Sequence, residues 1–265
     1  MEQVLDFIRT FPGILQWRKN KYKKKFSLND NHNLFYGVYK SFNDARTHIP
    51  STKPVGYNHK AAANMYSNLV ERIRLVDYPV IFWMNEIIDE NSVVFDFGGH
   101  IGIRFYSYSK YISFPEKFQW YVYDLPSIIK EGKKIAAEKG EERILFTDKI
   151  NLSGKENIFF ASGSLQYFEE PVYSIINKNN LSPKHVIING FPLHEKHEFV
   201  TINNMGTAYC PYKIYNKDKF IKKMIENGYE LVDIWNNTAR DKNCHIPFND
   251  DYNGSIYYGL YFIKK

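Results

Sequence analysis

Asp96-Phe97-Gly98-Gly99-His100-Ile101-Gly102 follows the apolar run Val93-Val94-Phe95, so a short buried strand runs into three glycines with an acid at its end. Glycine lets the backbone turn tightly and approach a ligand, and a helix starting there offers it bare N–H groups. In a doubly wound α/β sheet this is the corner that cradles a nucleotide. A second acid, Asp124, ends the next apolar run, Trp120-Tyr121-Val122-Tyr123. There a carboxylate is placed to accept hydrogen bonds from ribose hydroxyls. Leu125 and its aromatic neighbours are placed to sandwich a nucleobase, and Thr147-Asp148 to meet its edge, although Asp148 also reads as a turn cap.

Two further segments carry side chains able to act on an acceptor. Ala161-Ser162-Gly163-Ser164-Leu165-Gln166-Tyr167-Phe168 ends another apolar run. Open α/β sheets bind ligands at the carboxyl ends of their strands, which brings Ser162, Gln166 and Tyr167 to the same crevice. The Gly-x-Ser-x-Gly elbow is not present in that order, which argues against a serine hydrolase. After the apolar run His185-Val186-Ile187-Ile188 comes Asn189-Gly190-Phe191-Pro192-Leu193-His194-Glu195-Lys196-His197-Glu198. Imidazole, with an ordinary pKa of about 6.5, suits removal of a proton from an acceptor. His194 and His197 are therefore the candidate bases, with Tyr167 beside them. The zinc-protease spacing His-Glu-x-x-His is absent, and no metal is expected. Glu195 and Tyr209, the latter in Tyr209-Cys210-Pro211-Tyr212, are candidate acceptor contacts. A solvated charged loop and a set of core aromatics are the plain alternatives for these two segments.

These residues need a scaffold of alternating strands and helices. Strands are expected over 92–97, 119–123, 143–147, 158–161, 185–188, 229–235 and 256–263. Helices are expected over 101–111, 126–140, 172–179 and 217–227, the second opening on Pro126 and stopping at Gly140. The last two strands are separated by a loop without a helix, so the final one inserts antiparallel. The fold class is thus α/β, a Rossmann-like seven-stranded sheet with an antiparallel last strand. A further helix is expected from about residue 58, with Met65, Leu69, Val70, Ile73 and Leu75 on one face. Residues 1–60 lack the alternation and read as a helical or loop extension that caps a domain over 61–265.

Apolar residues make up 44% of the chain, enough for a sizeable core, and no apolar run approaches the ~18 residues of a membrane span. Two cysteines, Cys210 and Cys244, give no disulfide framework, and acidic Glu2 and Asp6 argue against a signal peptide. A cytoplasmic protein is expected. Part of the net charge of +6 sits in Arg18-Lys19-Asn20-Lys21-Tyr22-Lys23-Lys24-Lys25, after an apolar stripe that includes Phe11, Ile14, Leu15 and Trp17. This arm reads either as solvated surface or as a peripheral contact with the inner face of a membrane.

The chain resembles a family of bacterial S-adenosylmethionine (AdoMet)-dependent methyltransferases encoded among surface-polysaccharide genes. The resemblance rests on Phe35-Tyr36-Gly37-Val38-Tyr39, Gly56-Tyr57, the Asp96–Gly102 corner, Ala161–Tyr167, Tyr209-Cys210-Pro211 and Asn227-Gly228-Tyr229, and spans roughly residues 35–263. It implies a class I methyltransferase sheet with AdoMet as cofactor. The cofactor would lie on Asp96, Gly98, Gly99, Gly102, Asp124, Leu125, Thr147, Asp148, Ser162 and Gln166. It also implies O-methylation of a capsule or O-antigen precursor, a small-molecule or nucleotide- or lipid-linked glycan, with an O-methyl phosphoramidate group as one candidate product. Two departures stand out: Asp124 where the family often has glutamate, and Asn189-Gly190 where an arginine is frequent. A catalytically silent scaffold with the same fold is the rival. A nucleic-acid methyltransferase is disfavoured, because Asn189-Gly190-Phe191-Pro192 does not reproduce the Asn/Asp-Pro-Pro-Tyr/Phe signature, and no nucleic-acid partner is expected.

Overall fold

The computed structural model describes residues 11–28, 32–56, 72–150, 155–236 and 244–265. The expected helix from residue 58 lies mostly outside them, and its last residue, Leu75, opens a 3-10 turn, Leu75–Asp77. The core sheet contains β2 (Val93–Phe97), β3 (Gln119–Tyr123), β4 (Ile144–Thr147), β5 (Ile158–Ser162), β6 (His185–His194), β9 (Tyr229–Asn236) and β10 (Ile256–Lys264). They lie in the order β4-β3-β2-β5-β6-β10-β9. The first five are mutually parallel, and β10 runs antiparallel to both β6 and β9. This is the seven-stranded sheet with its inserted antiparallel strand that the alternation predicts.

Helices cover both faces, as parallel strands require. On one side lie α3 (Tyr78–Ile87), α4 (Ile103–Tyr108) and α5 (Pro126–Lys139). They pack Val80, Met84, Phe105, Tyr108 and Ile129 onto Val94, Trp120, Ile158, Phe160 and Ile187. On the other lie α6 (Val172–Lys178) and α7 (Lys217–Glu226), which bury Ile175, Ile176, Phe220 and Met224 against Phe95, Phe159, Val186 and Leu260. α5 ends as expected, with Gly140 at φ 61° taking the left-handed stop.

Three strands that the alternation does not predict extend the sheet. β6 runs for ten residues, not four, and its far end at Leu193 and His194 pairs with β8 (Tyr209–Asn216). β8 pairs antiparallel with β7 (Phe199–Met205), and β7 with β1 (His32–Tyr39). The aromatic patch Phe35–Tyr39 is therefore strand, and β1 belongs to the same hydrogen-bonded sheet. β7 is buried along its whole length, so no alternation of polar and apolar residues marks it. α1 (Pro12–Ser27) and α2 (Phe42–Thr47) cover one face of this extension, burying Phe26, Phe42 and Ala45 with Val200, Ile202 and Tyr209.

Candidate active site

The corner after β2 is built from three consecutive demands on the backbone. Gly98, His100 and Gly102 take φ values of 72°, 58° and 84°, the left-handed region that favours glycine. A Cβ on Gly98 would lie 2.5 Å from the Ser164 Cβ, and one on Gly102 2.3 Å from the Ile144 Cδ1. The spacing of the glycines does not reveal that His100, a side-chain-bearing residue, shares this strained conformation. Its backbone N–H donates to the Asp124 Oδ2 at 2.9 Å, and the Leu125 N–H to the Asp124 Oδ1 at 2.7 Å. The Gly98 N–H donates to the Tyr123 carbonyl at 2.8 Å. Asp124 thus ties the tip of β3 to the glycine corner. Burial raises its carboxyl pKa, against the pull of those two N–H groups.

Asp96 lies behind the loop, fully buried, with the Trp120 indole N–H donating to its Oδ2 at 3.0 Å. A Cβ on Gly99 would fall 2.2 Å from that oxygen, so only a bare backbone passes over the carboxyl group. Burial pushes Asp96 up to about 7; the Trp120 hydrogen bond and Arg104 oppose the shift, and Asp124 adds to it.

Side-chain alternation puts Asp96, Ser162 and Asn189 on one face, each two residues beyond a residue of the α3/α4/α5 core: Val94, Phe160 and Ile187. Their strands β2, β5 and β6 are adjacent, and Ser162 faces Asn189 directly in register. After β5, the Gly163 N–H donates to the Asn189 carbonyl at 2.8 Å, and the Gln166 Nε2 to the Gly163 carbonyl at 2.8 Å. The Ser164 hydroxyl donates to the Phe97 carbonyl and braces the corner from the side.

Beneath these tips lies Asp77, fully buried at the end of the 3-10 turn before α3. It accepts from Arg74 at 3.1 Å, Arg104 at 3.0 Å, the Tyr108 hydroxyl at 3.3 Å and the Asn189 Nδ2 at 3.0 Å. Burial alone would raise its carboxyl pKa, but Arg104 and Arg74 hold it below the ordinary carboxylate value. Asp77, Arg104 and Asn189 escape a motif reading because their partners lie far apart in sequence. Asn189 stands out in sequence only as the first polar residue after its apolar run, and its amide joins this ion cluster.

Among the described residues, four buried polar atoms here lack a hydrogen-bond partner: Asp96 Oδ1, Ser162 Oγ, Gln166 Oε1 and Asn189 Oδ1. Buried polar groups are ordinarily paired, so such a set on three neighbouring strands is the signature of a ligand or ordered water. Each of the four can accept a hydrogen bond, the Asp96 Oδ1 in its ionised form, and a molecule carrying an ammonium and hydroxyl donors satisfies them. Together with the glycine corner and Asp124, they fit the amino-acid and ribose portions of AdoMet. Leu125 caps α5 and packs beside Ile101 and Ile128. Thr147 accepts from the Lys149 N–H at 3.0 Å, and Asp148 is exposed next to it.

The other sequence-derived candidates gather elsewhere. His194 ends β6, five residues and roughly 16 Å beyond Asn189 at the rise of an extended strand. Its Nδ1 lies 2.9 Å from both the Lys196 and His197 N–H groups, which it accepts. That fixes the proton on Nε2, which donates to the Asn253 carbonyl at 3.0 Å. With both nitrogens engaged, His194 organises a turn and has no lone pair left for a base. His197 packs its ring on Tyr252, with centroids 4.8 Å apart. Glu195 points outward to Lys217, at 2.6 Å, and to the Tyr258 hydroxyl. Tyr209 is fully buried, stacked on Phe26 with its hydroxyl 2.9 Å from the Thr52 Oγ1, and belongs to the core of the extension. Its expected contact with an acceptor is corrected by that burial. Tyr167 follows Gln166 in the 3-10 turn Leu165–Tyr167, with its hydroxyl 3.3 Å from the Asn203 Oδ1 on β7.

No protein-family model matches the chain, and no curated protein sequence matches it. Solved structures do. Magnesium protoporphyrin IX methyltransferase from Synechocystis PCC 6803, solved with bound SAM, superposes with a TM-score of 0.50 at 13% identity over 76% of this chain and 88% of that one. OxaC, solved with SAH and oxaline, gives 0.51 at 13% identity over 77% of this chain and 50% of that one. At such identities the likeness speaks to architecture. The chain adopts the class I AdoMet-dependent methyltransferase fold.

Proposed function

We propose that the protein is an AdoMet-dependent O-methyltransferase acting on a precursor of a surface polysaccharide. The observation that carries the cofactor half of this reading is the convergence of unpartnered acceptors from β2, β5 and β6 beside a left-handed glycine corner. The acceptor half is supported by the resemblance in sequence described above. When bound, AdoMet supplies an electrophilic methyl group on a sulfonium sulfur. Asp124 would hold the ribose hydroxyls, using the carboxylate lone pairs left over from the His100 and Leu125 N–H groups. Asn189, Ser162 and Gln166 would take the donors of the amino-acid portion, and Leu125 would line the nucleobase side.

Methyl transfer to oxygen is an in-line displacement in which alignment of the reacting atoms supplies roughly 7–11 kcal/mol in favourable cases. The buried Asp77–Arg104 pair suits that task, because it locks Asn189 on β6 to α4. An acceptor that is already anionic, such as a phosphoryl oxygen, needs no base. With His194 committed to its turn, an acceptor of this class is consistent with the reading. The test is incubation of the pure protein with AdoMet and pools of capsule and O-antigen precursors, read by mass spectrometry. A product heavier by one methylene, formed only with the native protein, supports the reading. Binding of AdoMet without any methylated product in any pool would favour the silent scaffold.

A further inference from the structure

α1 packs one face against the described residues and leaves a second, mixed apolar and basic, face exposed to solvent among them. Leu15, Arg18, Tyr22 and Phe26 recur at helical spacing and form the docked side. Phe26 is fully buried, and the Tyr22 hydroxyl donates to the Phe35 carbonyl at 2.8 Å. Turned away from it, Ile14, Trp17, Lys21 and Lys24 form a second stripe at i, i+3, i+7 and i+10. All four are exposed, Trp17 at 61%. Phe11 at the head of the helix is 59% exposed and Leu28 behind it 50%. Lys21 reaches over the Trp17 ring, with its Nζ 5.1 Å from the centroid. The helix holds Arg18, Lys19, Lys21, Lys23, Lys24 and Lys25 and no acidic residue.

We propose that this outer stripe of α1 seats the protein on an anionic lipid bilayer. The chemistry of the stripe selects that partner. Tryptophan beside lysines on a helix lying flat suits the boundary between headgroups and acyl chains, where the indole enters and the ammonium groups reach back to phosphates. The charge without acids is complementary to anionic headgroups and falls within a Debye length of them. Nucleic acid would use the lysines but leave Ile14 and Phe11 facing water. The docked face matters as much as the free one: Phe26 and Tyr22 hold the helix on β1, so insertion of Trp17 brings the whole enzyme to the surface. This inference is independent of the methyl acceptor.

The test uses the full chain and vesicles of phosphatidylcholine with phosphatidylglycerol as a third of the lipid. Sedimentation should carry the native protein with these vesicles and not with pure phosphatidylcholine. Trp17→Ala and the pair Lys21→Ala/Lys24→Ala should each weaken partition by about tenfold or more. All three positions are exposed, so the variants are expected to fold, checked by unchanged thermal unfolding. Tryptophan emission should shift to the blue on adding vesicles, and Trp17→Phe should remove the shift while retaining binding. Binding that is insensitive to these substitutions, no vesicle binding at low salt, or oligonucleotide binding tighter than vesicle binding would each overturn the proposal.

Discussion

Two polar clusters sit on the same strand five residues apart, and they differ in one respect. Around Asn189, in the middle of β6, four buried acceptors have no partner among the described residues. Around His194, at its end, the imidazole accepts two backbone N–H groups and donates to a carbonyl. The second cluster gathers its titratable residues within a few positions of chain and so looks more chemical in sequence. The first draws them from distant segments and is incomplete. A folded chain ordinarily pairs the polar groups it buries, so incompleteness points to a ligand and completeness to structure.

Removing the anchor of the first cluster should have the largest effect. Asp77→Ala leaves Arg74, Arg104 and Asn189 without their shared carboxylate. Breaking a buried pair from one side costs about 3–5 kcal/mol, to be read from urea unfolding. A loss below the level of an ordinary surface substitution would break the account of β6 as a clamped strand.

Next comes the pH dependence of Asp96. Its folded pKa is raised to about 7, above that of the unfolded chain at about 4. Between those values the folded state holds a proton that the unfolded state has lost, so this group's contribution to stability falls as pH rises from about 4 to about 7 and is level above that. Asp96→Asn cannot ionise and should gain on the native protein across that window, by roughly a few kcal/mol at most. Parallel stability curves would show that Asp96 is not held protonated. Asp77, with its depressed pKa, acts in the opposite sense and at lower pH, losing its contribution as pH falls through the acidic carboxylate range.

The smallest effect sharpens the contrast. His194→Ala should cost about 1–2 kcal/mol of stability, since it strands two N–H groups and a carbonyl, and should leave AdoMet affinity unchanged. A fall in affinity comparable to that of an Asp124 variant would instead unite the two clusters into one site.

The sequence makes the core sheet readable because its strands are short, apolar and separated by helices with clear stops, such as Gly140 and Gly228. Asp124 and the glycines are readable for the same reason, since their chemistry is local. β7 and β8 escape because burial on both faces erases alternation, and β1 because an aromatic strand such as Phe35–Tyr39 resembles a loop patch. Asp77 and Asn189 escape because their partnership spans 112 positions of chain. His194 misleads for the converse reason: an imidazole near a strand end suggests a base, whereas the hydrogen bonds that occupy it come from backbone atoms, which no residue type announces.

Titration calorimetry with AdoMet, on the native protein and on Asp124→Ala, distinguishes a cofactor site from a structural corner. Binding should saturate at one molecule per chain and weaken by about tenfold to a hundredfold in the variant, as a charged acceptor for the ribose is lost. No binding by the folded native protein, or equal affinity in the two, would contradict the cofactor site.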